Sequence, residues 1–222
     1  MHHLQVPRTA RYALLGSPGP AVREVWVVLH GYRQLAPQFI RRFRDLSRPW
    51  RLIVAPEALN RFYVGDPSGR HGEESRVGGT WMTREDREVE ISDYVRYLDL
   101  LLRHVEGGLP APVSVVGLGF SQGCHTVARW AAYGTSALRG MVLWGEVLPP
   151  DLDLDRARDR YASMRIVSVQ GRQDVHVTPA LLERQSGQVE RMGVTLEERW
   201  HPLGHLLEPE TLRSVAAELS MA

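Results

Sequence analysis

Lysine is missing from this sequence: all 27 of its basic residues are arginine, and Asn60 is its only asparagine. That skew reads as genome composition, because arginine enrichment is not a general mark of heat adaptation. A large charge of one sign is missing too. The 27 arginines meet 26 carboxylates for a formal charge of +1, so no strong field points to nucleic acid or to an anionic membrane, and a small-molecule partner is expected. Cysteine is nearly absent. Cys124 alone excludes an internal disulfide framework and cannot build a thiolate metal cage, which fits a reducing, intracellular setting. No run approaches the roughly 20 apolar residues that span a bilayer. The opening "MHHLQVPRTARYALLGSPG" also lacks the apolar stretch and small-residue cleavage site of a secretory signal. The expectation is a cytoplasmic protein without stable membrane insertion.

What is present is an alternation. Val25–Leu29, Leu52–Ala55, Val113–Val116, Met141–Trp144 and Ile166–Val169 are short apolar runs rich in β-branched residues, and each reads as a strand buried on both faces. Arg11–Leu15 adds an earlier edge strand. Between and after them, Pro37–Leu46, Glu85–Val105, Gln122–Tyr133, Pro179–Met192 and Pro209–Leu219 carry helical spacing. The pattern predicts an α/β fold with a mostly parallel central sheet and helices on both faces. The 222 residues suit a single domain over 1–222. One excursion, at about 57–83, is too long for an ordinary strand-to-helix loop, and its Phe62, Tyr63, Trp81 and Met82 hold more apolar surface than an idle loop requires.

The chemistry centres on "VVGLGFSQGCH". A serine hydroxyl becomes a competent nucleophile when an imidazole removes its proton and a carboxylate orients that imidazole. A sharp strand-to-helix turn around Ser121 leaves no room for side chains two positions either side, which would account for Gly119 and Gly123. A serine N-cap is the plain alternative, but a cap does not call for both glycines. The N–H of Gln122, at the start of the helix, is one candidate oxyanion donor. "VVLHGYRQ" supplies the other in the N–H of Tyr32, on a loop directly after a strand.

An acid and a base should follow Ser121 in that order, each beyond a later strand. "VQGRQDVHV" offers Asp174, and "WHPLGHLL" offers His205, with Gly204 giving it room; His205 is favoured over His201, which lies closer to the strand end. His176 lies too near Asp174 to reach a distant serine. Asp151, Asp153 and Asp155 alternate as a calcium loop begins, but the glycine and closing glutamate of such a loop are missing, so a solvated connection is expected. Cys124 reads as a small packing residue.

With these residues assembled, the chain resembles the α/β-hydrolase superfamily, and within it the small carboxylesterase/phospholipase family that includes acyl-protein thioesterases. "LHGY", "GFSQG", "GRQD" and "PLGH" carry the likeness through most of the chain. The resemblance implies an α/β-hydrolase fold with no separate cap domain. It also implies metal-free, cofactor-free hydrolysis of a small-molecule ester by Ser121, His205 and Asp174. "TWM" at Thr80–Met82 looks like that family's pocket-lining stretch, so Trp81 and Met82 are expected beside the substrate. Arg33 stands where relatives commonly carry glycine, and is expected to narrow the pocket or attract an acidic substrate. Members of that family often form homodimers. A serine peptidase or amidase of the same fold, and a ligand-binding protein without turnover, are the alternative readings.

Overall fold

The computed structural model describes residues 2–65 and 71–220. Its strands, in chain order, are β1 (Tyr12–Leu15), β2 (Glu24–Leu29), β3 (Arg51–Pro56), β4 (Asn60–Tyr63), β5 (Val77–Thr80), β6 (Ser114–Phe120), β7 (Gly140–Trp144), β8 (Arg165–Gly171) and β9 (Leu196–His201). Seven of them form one sheet in the order β1-β3-β2-β6-β7-β8-β9. The β1 strand runs antiparallel to β3, and every other pairing in the sheet is parallel.

Uninterrupted apolar runs become strands here because both faces of the sheet are covered. All six residues of β2 are buried; Val25, Val27 and Leu29 enter one core, and Trp26 and Val28 the other. The helices α2 (Arg87–Gly107), α3 (Gln122–Tyr133), α4 (Leu154–Tyr161) and α5 (Pro179–Met192) contribute to the first core. The second core is closed by α1 (Ala36–Phe39) and α6 (Pro209–Leu219).

Three elements depart from the sequence expectation. The segment read as one helix over Pro37–Leu46 is a single α-turn that tightens into a 3-10 helix at Ile40–Leu46. Three residues per turn align Ile40, Phe43 and Leu46, all buried, on one line. The supposed solvated connection near Asp151–Asp155 contains α4. Asp153 caps it by accepting from the Arg156 N–H, and Asp151 pairs with Arg87 and Arg129. The excursion at 57–83 holds an antiparallel hairpin of β4 and β5 pairing Asn60 with Thr80 and Tyr63 with Val77. Residues 66–70 of that excursion lie outside the described residues.

The loops that follow β2, β6, β7, β8 and β9 all leave the carboxyl edge of the parallel sheet, the edge where open α/β sheets bind ligands. No described helix is long and apolar enough to cross a membrane.

Candidate active site

Ser121 stands between β6 and α3 at φ 53° and ψ −121°, a conformation that residues with a side chain seldom adopt. It occupies the N-cap position of α3, yet its side chain makes no capping hydrogen bond, which removes the plain structural reason for a serine there. The turn is held by the backbone: Ser121 N–H donates to the Trp144 carbonyl at 2.9 Å, and the Ser121 carbonyl accepts from Cys124 N–H at 2.8 Å. A β-carbon on Gly119 would overlap the Gly123 carbonyl, and one on Gly123 would overlap the Leu29 carbonyl. Both glycines are therefore required by backbone contact, as the sequence motif suggested. Cys124 is buried beneath the turn, with Sγ 3.1 Å from the Gly119 carbonyl oxygen; burial pushes its thiol pKa well up and leaves it a packing residue.

Asp174 and His205 meet across the ends of β8 and β9. His205 Nδ1 lies 2.7 Å from Asp174 Oδ2, with the carboxylate side chain 1% exposed and the imidazole 24% exposed. The other carboxylate oxygen of Asp174 accepts from the His176 N–H at 2.9 Å, so both oxygens are held. Phe120 packs on the His205 ring at 4.9 Å, and His176 meets its edge at 4.7 Å. Below it, Gly145 adopts φ +69°, and a β-carbon there would come within 3.1 Å of the imidazole. His201, the alternative base, is 1% exposed and buried against Trp144. Burial lowers its pKa, and it is not a wall of the cavity over Ser121.

That cavity, about 160 Å³, is lined by Ser121 and His205, by the apolar Phe120, Leu206 and Leu207, and by Tyr32, Gln34 and Arg42. Among the described residues, Ser121 Oγ makes no hydrogen bond, and the N–H groups of Tyr32 and Gln122 have no acceptor. Gly31 brings the Tyr32 loop onto the serine: a β-carbon on Gly31 would sit 3.2 Å from Ser121 Cβ.

The Tyr32 loop is braced from three sides. Gly31 N–H donates to Gln34 Oε1 at 2.8 Å. Arg33 N–H donates to the Gly79 carbonyl at 2.9 Å, and Gly79 N–H returns a bond to the Gln34 carbonyl at 3.1 Å. His30 accepts from Ala58 N–H at its Nε2 (3.1 Å), which leaves Nδ1 to donate to the Gly31 carbonyl at 2.8 Å. Burial lowers the His30 pKa and keeps that neutral tautomer.

Trp81 and Met82, expected beside the substrate, lie behind this loop instead. Trp81 is 2% exposed and donates from its indole to the His30 carbonyl at 2.8 Å. Its aromatic bulk is spent on packing His30 and Tyr94. Half-buried Met82 has its Sδ against the guanidinium groups of Arg87 and Arg129. Arg33 adopts φ 66° and lines a second cavity next to the first. Sequence reasoning missed the Gln122 side chain. Its Oε1 accepts from Trp81 N–H at 3.1 Å, and its Nε2 donates to Thr80 Oγ1 and the Met82 carbonyl at 3.0 Å each. Its position in "GFSQG" was a signal, but only for its backbone. Gln34, Arg42, Leu206 and Leu207 carried no local signal at all.

No family model and no curated protein matches this chain. Solved structures do. Acyl-protein thioesterase 2 of Zea mays is similar over 95% of this chain and 98% of its own, with a TM-score of 0.72 and 17% identity. Esterase PE8 is similar over 96% and 98%, with a TM-score of 0.68 and 19% identity. The phospholipase/carboxylesterase of Dyadobacter fermentans DSM 18053 is similar over 97% and 98%, with a TM-score of 0.66 and 14% identity. The fold is that of the α/β-hydrolases. At these identities the likeness speaks for architecture, and the chemistry has to be drawn from this chain's own residues.

Proposed function

We propose that this α/β-hydrolase-fold protein is a serine hydrolase that cleaves carboxylic esters of short to medium acyl chain through an acyl-enzyme intermediate. The observation that carries the proposal is the strained Ser121 facing one cavity together with a His205 that is already hydrogen-bonded to a buried Asp174. In the first step His205 Nε2 takes the Ser121 proton as Oγ attacks the ester carbonyl, and Asp174 stabilises the resulting imidazolium. The carbonyl oxygen becomes an oxyanion held by the N–H groups of Tyr32 and Gln122, each such donor contributing about 3 to 4 kcal/mol. His205 then returns the proton to the alcohol oxygen as its bond to the acyl carbon breaks. Water, deprotonated by His205, attacks the acyl-serine; the carboxylic acid leaves and Ser121 regains its proton. No metal or cofactor enters this sequence.

Ser121→Ala is expected to fold normally, by circular dichroism, and to lose nearly all p-nitrophenyl butyrate hydrolysis. Retention of most of that activity would sink the assignment. A fluorophosphonate probe should label the unaltered protein rapidly and the variant not at all, which separates an activated serine from a ligand-binding protein of the same fold. Faster turnover of a matched amide than of the ester would favour a peptidase instead.

A further inference from the structure

A second cavity of about 420 Å³ adjoins the one over Ser121 and shares Gln34 and Arg42 with it. Its walls also include Arg33 from the Tyr32 loop, Gln38 from α1 and Arg76 just before β5. Three arginines, Arg33, Arg42 and Arg76, therefore line a cavity that adjoins the candidate active site. All three residues are exposed.

These arginines differ from most others with structural work in the chain. Arg51 and Arg139 pair with Glu24, Arg129 with Asp151, and Arg199 with Glu197 and Glu218. No carboxylate of the described residues lies within 4.0 Å of the guanidinium of Arg33, Arg42 or Arg76, and none of the three side chains donates a hydrogen bond to a described residue. Arginines around a concave surface, with no carboxylate of the described residues beside their guanidinium groups, concentrate positive potential there. Guanidinium forks match the paired oxygens of carboxylates and phosphates, and the Gln34 and Gln38 amides are further donors. Arg33 also holds a left-handed φ of 66° that glycine would adopt without strain. Its backbone donates to Gly79, which any residue could do, so its side chain is the part that distinguishes it.

We infer that the substrate is an anionic ester, carrying a carboxylate or phosphate on the portion that extends from Ser121 past Gln34 into the Arg33, Arg42 and Arg76 cavity. This deepens the proposed ester hydrolysis and rests on it. The charged end anchors the molecule, and the ester carbonyl falls over Ser121.

The test compares matched esters in steady-state kinetics: propyl butyrate against 2-carboxyethyl and 2-phosphoethyl butyrate, and ethyl pentanoate against monoethyl succinate. At least one charged ester should exceed its neutral partner in kcat/KM by about tenfold or more at low ionic strength, with the ratio shrinking as salt screens the arginines. The carboxylate and phosphate arms show which oxyanion is recognised. The ratio should fall toward one in Arg42→Gln and in the double variant Arg33→Gln/Arg76→Gln. Equal turnover of neutral and charged esters would overturn the substrate class while leaving ester hydrolysis standing, and so would a preference that survives both variants and high salt. Absence of any ester turnover, together with no fluorophosphonate labelling of Ser121, would overturn the ester reading and this inference with it.

Discussion

Ser121 pays for its position with backbone strain: φ 53° and ψ −121° is territory that costs a non-glycine residue about 1 to 3 kcal/mol. Replacing it with glycine, Ser121→Gly, relieves that conformation and removes the candidate nucleophile. Urea denaturation should show that variant about 1 to 2 kcal/mol more stable than the parent, with ester turnover gone; an unchanged midpoint would mean the conformation is not strained. Asp174→Asn tests the partner residue. The amide keeps the size of the carboxylate but offers His205 the wrong hydrogen-bond partner, so on the proposed mechanism kcat is expected to drop on the order of 10⁴-fold without loss of structure, the size of effect such a change has in an established serine triad. At this scale the sequence was most legible where space forces identity. Gly119 and Gly123 are legible in the sequence because only a missing side chain lets the turn close. Trp81 could not, because an aromatic in a polar, glycine-rich stretch looks equally suited to a pocket wall or to the core. The indole bond to the His30 carbonyl, 51 residues away in sequence, decides for the core.

Among the elements, the β4–β5 hairpin is the one hydrogen-bonded to the Tyr32 loop. Through Gly79 it is hydrogen-bonded in both directions to the Tyr32 loop, and a β-carbon on Gly78 would come within 2.7 Å of Arg33 Cα. Through Thr80, Trp81 and Met82 it is tied to the Gln122 side chain, so the two candidate oxyanion donors are linked through one piece of structure. Gln122→Ala keeps the Gln122 backbone N–H and removes that link. We expect kcat to fall by about tenfold to a hundredfold with KM little changed, less than the full loss of one oxyanion donor. Gln122→Glu, which retains the acceptor for Trp81 N–H, should recover part of the loss; equal loss in both variants would show that the Trp81 bond is not what positions the loop. The hairpin was not readable beforehand because Val77–Thr80 contains two glycines and no apolar alternation. The α4 helix escaped notice for a related reason: only Ala157 and Tyr161 of its eight residues are buried, too few to mark a period.

Across the whole molecule, folding makes three histidines harder to protonate. Burial lowers the pKa of His30 and His201, and lowers that of His125, whose Nε2 has no partner among the described residues, to about 4. An unfolded chain binds protons at these residues near pH 6.5, so between there and the depressed folded values it holds more protons than the native state. The histidines' contribution to stability should therefore be fully present above about pH 6.5 and be lost on acidification, by at most about 1.4 kcal/mol per pH unit for each histidine. Asp151 acts lower down: its hydrogen bonds with Arg87 and Arg129 outweigh burial and bring its pKa to about 2, so its contribution is lost only in stronger acid. Urea midpoints measured from pH 7 to pH 4 should show the decline, and His125→Phe should flatten it. An identical slope in that variant would exclude His125 as a cause.

By itself the sequence determined the alternation of buried strands and amphipathic helices, and the chain order of Ser121, Asp174 and His205. Those features are local: burial on two faces demands unbroken apolar runs, and a tight turn demands glycine. Only the tertiary structure decided which side chains share a cavity. Arg33, Arg42 and Arg76 lie in a loop, a 3-10 helix and the approach to a strand, and nothing in their own neighbourhoods marks them as companions. It also placed Trp81 in the core and turned Gln122 into a brace. Those outcomes depend on contacts between residues distant along the chain, which local periodicity and spacing do not encode.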